Sequence, residues 1–327
     1  MSEPTPNPAV FRAYWRFAAE RHSIFERRLR DSHGPWTEDQ ILRDYRFCNA
    51  FRAADRVTQE LIAVAYVEPS LKPSDIFLRT VLFRLFSRPE TWRLIESDVG
   101  TITAENFDPK RLGDRLEKAR SAGATLYTGA FILCADAAYG YRRKHRNHLA
   151  LLDAMLVAEL PARVEAAAGL GEVYDLLLDW PLIGPFMAYQ LAIDLNYTTV
   201  IDFDENEFTV PGPGAVRGLR KVFADLNGMS EAEAIHWLVD YQARCEDELA
   251  IVPPRLFGRT LHAIDAQNLL CEIDKYARVA FPELRSNRKR IKQRFKADSD
   301  PLPLAFPPKW GLRGLSKSAL PTRVRVA

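Results

Sequence analysis

The chain has 327 residues, of which 47% are hydrophobic and 27% are charged, a balance typical of a globular protein with an apolar core and not of a disordered chain. Its net charge of +2 is uneven: residues 285–327 hold twelve Lys or Arg and two Asp, so the first 284 residues sum to −8. Such a basic segment can follow a polyanion backbone, although a solvated tail accounts for the charge equally well.

The N-terminal residues lack the basic and apolar regions of a signal peptide. No apolar run reaches the roughly 20 residues that span a bilayer. The histidines show no HExxH or comparable ligand spacing, so we expect no metal or cofactor. The four cysteines form no CxxC pair, and we expect buried thiols in a reducing cytoplasm at Cys48, Cys134, Cys245 and Cys271.

Helical periodicity of apolar residues dominates the chain. It predicts helices at residues 11–31, 34–66, 74–95, 109–123, 148–168, 230–250 and 265–281. Thr37 is the predicted N-cap of the second of these. Strand signals are thin and lack hairpin turns, at residues 124–133 and 196–203. The sequence therefore predicts an all-α (mainly α) protein whose N-terminal and C-terminal helices pack together around a central helix–turn–helix.

That centre, residues 172–197, predicts two short helices joined by a tight turn. Pro181 must end the first helix, and Pro185 suits the first position of the second. Gly184 permits a close backbone approach or a positive φ. The unpaired N–H groups at the second helix's start suit a phosphate oxygen, although a plain αα-corner is the commoner structure.

An acidic segment follows, with the sequence VIDFDENEFTV at residues 200–210. Its apolar neighbours predict that at least one carboxylate is partly desolvated. An isolated acidic cluster is more often a helix cap or a solvated face, but the fixed distance behind a hairpin sets this one apart.

The hairpin and the acidic segment together resemble the helix-hairpin-helix DNA glycosylases of the endonuclease III and MutY type. Their signature is an L-P-G-(V/I)-G-x-x-T-A hairpin with a catalytic Asp about twenty residues further on; this chain has WPLIGPFMA at residues 180–188. The resemblance implies a phosphate-binding hairpin formed by Leu182, Ile183, Gly184 and Phe186. It implies that Asp204, twenty residues after Gly184, is the catalytic carboxylate, with Asp202 as the fallback.

Two positions depart from that pattern. Leu182 replaces the first hairpin glycine, and Phe186 stands where bifunctional members carry a Schiff-base lysine. No cysteine cluster follows, so the iron–sulfur cluster of the endonuclease III branch is absent. The resemblance then implies a monofunctional enzyme that flips a nucleotide out of the duplex and stabilises a cation-like sugar with Asp204, which could also orient the attacking water.

Four further segments are similar to a narrower group, the hydroxymethyluracil-DNA-kinase helical-domain family, also called alpha-glutamyl/putrescinyl thymine pyrophosphorylase clade two. They lie at residues 12–29, 34–62, 211–219 and 265–278. The resemblance covers roughly residues 8–296 and implies action on unusual phage DNA bases. Two activities are associated with the group: amino-acid transfer onto a pyrophosphorylated hydroxymethylpyrimidine in DNA, and excision of a hypermodified base such as glucosylated hydroxymethylcytosine in anti-phage defence.

Further polar residues are candidates for the base pocket and the DNA backbone. Residues 45–56 predict a helix on which Asn49, Arg52 and Arg56 share a face. Arg binds phosphate and Asn reads base edges, whereas ion pairs with Glu38 or Asp55 are the alternative. Tyr127 is either an aromatic wall or a core residue, and Lys275 lies in a segment typical of a buried charge network. The complete sets are Arg46, Asn49, Arg52, Tyr127, Asn206 and Lys275 for the pocket, and Arg288, Lys289, Arg290 and Lys292 for the backbone.

The sequence thus predicts a two-lobed, glycosylase-like helical domain at residues 8–298 and a basic, Pro-containing tail at 299–327. The leading expectation is a cytoplasmic, monofunctional glycosylase that excises a hypermodified base from double-stranded phage DNA and leaves an abasic site, with no membrane contact and no obligate protein partner. One alternative is an amino-acid:DNA transferase acting on pyrophosphorylated hydroxymethyluracil; another is a non-catalytic DNA-binding module. A self-contained kinase is not expected, because no GxxxxGK[ST] motif occurs.

Overall fold

The computed structural model describes residues 3–129, 136–284, 291, 293–296 and 304–312. They divide into two compact units. Unit 1 contains the described residues of 3–56, 208–304 and 310–312, and unit 2 contains those of 57–207 and 305–309. Residues 305–309 of the predicted tail therefore belong to unit 2, where Ala305 and Phe306 are buried.

Helices make up most of the described structure, which confirms the mainly α prediction. In chain order they are α1 Pro8–Arg30, α2 Gln40–Asp44, α3 Arg56–Ala65, α4 Pro73–Phe86, α5 Pro89–Val99, α6 Pro109–Ser121, α7 Lys144–Val157, α8 Leu160–Glu165, α9 Leu170–Leu178, α10 Pro185–Asn196, α11 Pro213–Val222, α12 Glu231–Tyr241, α13 Cys245–Leu249 and α14 Ala263–Ala280. A two-stranded antiparallel sheet pairs β1 Thr5–Pro6 with β2 Phe223–Asp225. Among these helices, none has the length and apolar character that a bilayer crossing requires.

Unit 1 is built on α14, which packs against α1 and α11. The α11–α14 contact is very close, since a Cβ added to Gly218 would lie 2.1 Å from the carbonyl oxygen of Leu270. On the α1 side, the Phe17 and Tyr276 rings lie 5.4 Å apart between centroids. The first and last long helices therefore pack together within this unit, as the sequence predicted, whereas the helix–turn–helix predicted at their centre belongs to unit 2.

Unit 2 has two almost fully buried helices, α4 and α10, which contact each other. A helix that is apolar on most faces is typical of a core position. The side chains of Arg84 on α4 and Asp194 on α10 form an ion pair in this core. Helix α10 is the second helix of the predicted hairpin. Its packing on α4 therefore positions that half of the hairpin within unit 2.

The prediction of one long helix at residues 34–66 is wrong. The first helix in this range is α2. The Asp39 carboxylate accepts hydrogen bonds from the backbone N–H groups of Ile41 and Leu42, so Asp39 and not Thr37 is the N-cap. Helix α2 ends at Asp44, because the backbone that follows pairs with a distant segment: the N–H of Arg46 donates to the carbonyl oxygen of Gln293 at 2.9 Å. A short 3₁₀ turn at Arg52–Ala54 precedes α3.

Neither predicted strand is present in the described residues. Residues 124–129 contain no strand, and residues 130–133 lie outside the described part of the chain. In the second predicted strand, residues 196–203, α10 extends to Asn196 and a loop follows. Conversely, the sequence reading missed α11, because its glycine- and proline-rich start resembles a turn.

Candidate functional site

The hairpin exists where it was predicted, between α9 and α10. Gly184 is the N-cap of α10 and Pro185 follows at the first helical position, with no side-chain cap. The left-handed residue is Leu182, with φ of 70°, whereas Gly184 has an extended φ of −91°. Leu182 thus adopts the conformation usual for glycine, and Gly184 does not need glycine for its own φ.

Open space surrounds the turn. A Cβ added to Gly184 would find no atom within 4 Å, and the Phe186 side chain is 41% exposed. By contrast, Ile183 is buried. The backbone at Gly184 is therefore accessible to an external group, while Ile183 anchors the turn to the core and offers its backbone alone.

The acidic segment is held against the end of α10. The Asn196 side chain donates to the carbonyl oxygen of Phe203 at 3.0 Å and accepts from its N–H at 2.8 Å. This reciprocal pair, within unit 2, fixes the loop that carries Asp202 and Asp204 relative to the hairpin helix.

Asp204 is exposed, and its carboxylate accepts a hydrogen bond from the backbone N–H of Asn206 at 2.9 Å. At least one carboxylate of this segment was predicted to be partly desolvated, and Asp204 is not that residue. The buried acid of the segment is Glu205, with 4% of its surface exposed. Sequence reasoning did not single out Glu205, although its place among apolar residues was the available signal.

Two other acids have structural partners. The carboxylate of Glu207 accepts a hydrogen bond from the N–H of Leu170 at 2.5 Å, which caps the start of α9. Asp202 is exposed and pairs with the Lys309 ammonium at 3.0 Å. Lys309 also donates to the carbonyl oxygen of Ile201 at 2.7 Å. The carboxylates of the acidic segment thus differ from one another in their burial and in their partners.

Tyr127 belongs to an aromatic cluster in unit 2. Its ring stacks on Phe86 at 4.9 Å between centroids, and the Lys144 ammonium lies 4.5 Å from the ring centroid. The hydroxyl lies 3.1 Å from the Nδ1 atom of His148. Burial raises the pKa of Tyr127 well above its usual range. These partners give Tyr127 a packing role, which was the alternative stated for it.

Arg46, Asn49 and Arg52 lie in unit 1, outside any α-helix, so the prediction that Asn49 and Arg52 share a helix face is wrong. The Asn49 side chain donates to the carbonyl oxygen of Ala54 at 2.6 Å, and its N–H donates to Asp55 at 2.8 Å. Such side-chain to backbone bonds compete with helix formation. Arg46 is exposed, whereas Arg52 is buried and its backbone N–H donates to Asp265 at 2.7 Å.

Lys275 also lies in unit 1, in the charge network that its segment suggested. Its ammonium pairs with the buried Glu272 carboxylate at 2.7 Å, and Glu272 accepts the backbone N–H of Cys48 at 3.0 Å. On the same helix, Asp274 pairs with Arg217, Lys221 and Arg278. The four predicted backbone-binding residues Arg288, Lys289, Arg290 and Lys292 lie outside the described residues.

A cavity of about 490 Å³ opens in unit 1. One wall is formed by Arg259, whose guanidinium lies 3.9 Å from the centroid of the Trp310 ring. His262 and Thr260 add polar groups, with the Nδ1 atom of His262 3.0 Å from the carbonyl oxygen of Thr260. The remaining lining residues are Phe257, Gly258, Gly311 and Leu312. Sequence reasoning gave no sign of this cavity.

The cysteines and the possible metal ligands of the described residues lie in ordinary surroundings. Of the described cysteines, Cys245 is buried, whereas Cys48 and Cys271 are only half-buried, and all three are free thiols. Within the described ranges, no group of three or more His, Cys, Asp or Glu side chains is arranged to hold a metal ion.

Comparison with known proteins decides the family. Residues 8–286 match the family described as 5-hmdU DNA kinase, helical domain. The chain belongs to this family. It is also 28% identical over 296 residues to the 5-hmdU DNA kinase of Bacillus phage SP10, an alignment that covers 84% of this chain and 46% of that protein. The chain therefore spans less than half of its relative's length. No solved structure matches the chain.

This membership confirms the resemblance to the hydroxymethyluracil-DNA-kinase helical domains and corrects the functional expectation. The family and the phage relative both carry the name 5-hmdU DNA kinase, and a kinase transfers a phosphoryl group and does not hydrolyse a glycosidic bond. The expected N-glycosylase activity, and with it base excision as a hydrolytic defence function, is therefore wrong. The transferase alternative fits the family better.

Proposed function

We propose that this chain takes part in group transfer to the 5-hydroxymethyl group of uracil in DNA. The observation that carries the proposal is the family match over residues 8–286. The phage relative supports it, because its name states action on 5-hydroxymethyluracil in DNA. As this chain spans 46% of that relative, its substrate and activity are part of the proposal.

In the reaction that we propose, an amino acid displaces pyrophosphate from a pyrophosphorylated hydroxymethyluracil. A nitrogen–carbon bond forms at the 5-methylene carbon, the bond between this carbon and the pyrophosphate oxygen breaks, and pyrophosphate leaves. The attacking amine gives its proton to a base. We assign that base to Asp204, because its carboxylate is exposed on a loop fixed by the Asn196–Phe203 pair.

We further propose that the α9–α10 turn contacts the DNA backbone in the manner of a helix-hairpin-helix motif. The accessible backbone at Gly184 and the uncapped start of α10 support this, because unpaired N–H groups and the helix dipole both favour a phosphate oxygen. Phe186 cannot form an imine, so the proposed contact is non-covalent.

The test uses the full chain and a duplex with one pyrophosphorylated 5-hydroxymethyluracil. After incubation with a mixture of amino acids, the DNA is digested to nucleosides and analysed by mass spectrometry. An aminoacylated nucleoside, absent with Asp204→Asn, is the expected result. An unchanged nucleoside with every amino acid would overturn the amino-acid transfer, and no free base is expected in any reaction.

The second candidate is phosphoryl transfer, which the name of the phage relative favours. To test phosphoryl transfer, 5-hydroxymethyluracil DNA is incubated with ATP in a second reaction. A phosphorylated nucleoside would support this candidate. An unchanged 5-hydroxymethyluracil nucleoside after incubation with ATP would overturn this candidate. Binding to modified duplex with no product in either arm would leave the non-catalytic DNA-binding module as the correct reading.

A further inference from the structure

Positive charge is concentrated on two adjacent helices of unit 2. Residues 108–121 and 136–148 together hold nine Lys or Arg and four Asp or Glu, an excess of five, whereas the whole chain has a net charge of only +2. Helices α6 and α7 pack directly against each other. The basic residues of both helices are therefore brought together on one part of unit 2, which we name the α6–α7 surface.

Most of these cations are exposed. The exposed members are Lys110, Arg111, Lys118, Arg120, Arg142 and Arg143. Glu117 is shared by Arg120 at 2.7 Å and Arg143 at 3.3 Å, Arg111 pairs with Asp98 of α5 at 3.0 Å, and Arg146 pairs with Asp114 at 2.6 Å. Burial lowers the pKa of His145, although Glu117 opposes the shift, so the histidine is expected to be neutral near pH 7. The acids of this surface do not balance its cations.

The beginning of α7 departs from normal helix chemistry. Its N-cap is Arg143, without a side-chain cap, and its first turn has no acid. Cations at a helix N-terminus are unfavourable because they meet the positive end of the helix dipole. The neighbouring α6 shows the usual arrangement, since the Asp108 side chain accepts hydrogen bonds from two backbone N–H groups.

The same region offers a rigid support. Lys144 lies over the ring of Tyr127, which is itself stacked on the core residue Phe86. Tyr141, just before α7, is 46% exposed. The basic segment is thus joined to an aromatic cluster in the core of unit 2, so its side chains project from a fixed base.

We propose that the α6–α7 surface binds the phosphate backbone of duplex DNA. Cations spread along two helices, and not gathered in one cavity, fit an extended polyanion with regularly spaced phosphates better than a single phosphate ion. The inference rests on the proposed function for the choice of DNA, and it adds a contact surface separate from the hairpin and from the acidic segment.

The test compares three full-length proteins: the wild type, the double variant Arg142→Gln/Arg143→Gln, and the control Arg93→Gln/Arg163→Gln. The control residues are exposed arginines on α5 and α8 of the same unit. Dissociation constants for a fluorescent duplex are measured at several salt concentrations. Each lost phosphate contact lowers the slope of log Kd against log salt by about 0.9, so we expect a decrease of roughly two for Arg142→Gln/Arg143→Gln and none for the control.

Circular dichroism melts establish that both double variants remain folded. A slope equal to that of the wild type in a folded Arg142→Gln/Arg143→Gln variant would overturn the inference, and so would an equal decrease in the control. The two proposals fail in different ways. A wild type that transfers a group while this variant keeps its slope refutes only the α6–α7 surface; a wild type that binds DNA through this surface but modifies no base refutes only the proposed reaction.

Discussion

Arg84 and Asp194 form a bidentate ion pair inside unit 2, with the Nε atom donating to Oδ2 at 2.5 Å and Nη2 donating to Oδ1 at 2.9 Å. Both side chains are almost completely buried. The pair joins α4 to α10, the helix that starts at the hairpin. Because a guanidinium–carboxylate pair of this geometry has a fixed orientation, it defines how α10 lies on α4.

Removing one member of this pair should be costly. We expect Asp194→Leu to lower the free energy of unfolding by about 3–5 kcal/mol, because it leaves the Arg84 guanidinium buried without this carboxylate. Urea unfolding followed by circular dichroism measures the change. The double variant Arg84→Met/Asp194→Leu should recover much of the loss. If the single and double variants lose equal stability, the pair does not have the role assigned to it.

A second prediction concerns the close contact of α11 with α14 in unit 1. Gly218→Ala places a Cβ 2.1 Å from the backbone carbonyl oxygen of Leu270, which cannot rotate away. We expect a loss of about 3 kcal/mol in unfolding free energy. Gly214→Ala is the matched control, since its Cβ would meet the Cys271 sulfur at 2.6 Å, a side-chain atom that can move. Equal losses in the two variants would contradict the assigned contact.

The pH dependence of stability should contain a contribution from Asp265. Burial raises the pKa of this carboxyl from 3.8 to about 6, although the backbone N–H groups of Arg52 and His262 oppose the shift. The folded state therefore holds the proton more tightly than the unfolded state. Stability from this group is present below about pH 4 and is lost as the pH rises to about 6, by at most about 3 kcal/mol.

Asp265→Asn removes that titration. Urea unfolding of the wild type and the variant between pH 4 and pH 7 should show that the wild type loses stability relative to the variant as the pH rises. Parallel curves would mean that the carboxyl of Asp265 has an ordinary pKa in the folded protein.

Local patterns predicted most helices and the hairpin because the required signals are close together in sequence. Pro181 and Pro185 bracket the turn, and the apolar spacing on both sides is helical. The failure at residues 45–55 has a different origin. There Asp55 and Ala54 accept bonds from Asn49, and Asp265, more than two hundred residues away, accepts the N–H of Arg52. A periodicity argument does not detect partners at that distance.

The candidate site shows the same limit. Counting from the hairpin selected Asp204, but the environment of each acid depends on distant residues such as Lys309 beside Asp202. The sequence did not reveal the α6–α7 surface either, because only the packing of α6 on α7 brings the charges of the two helices together. The chemistry was misjudged because a hairpin followed by an Asp indicates a mode of DNA contact and not the reaction performed there.

The hairpin contact can be tested with Gly184→Ala. The residue has an extended φ, and an added Cβ would contact nothing within 4 Å, so we expect the unfolding free energy to change by less than about 1 kcal/mol. If a phosphate lies against this backbone, the same methyl group should weaken binding to duplex DNA. Fluorescence anisotropy measures the affinity, and an unchanged Kd in a folded variant would exclude a close phosphate contact at Gly184.

The last prediction separates two carboxylates of the acidic segment. Asp204→Asn keeps an oxygen that can accept the N–H of Asn206, so stability should stay within about 0.5 kcal/mol of the wild type, while the proposed group transfer is lost. Glu207→Ala removes the cap of α9, so stability should fall by about 1 kcal/mol while transfer is retained. Urea unfolding and nucleoside mass spectrometry give both readouts. Loss of transfer in Glu207→Ala with full activity in Asp204→Asn would reverse the assignment, because the carboxylate that acts would then be the one at the start of α9.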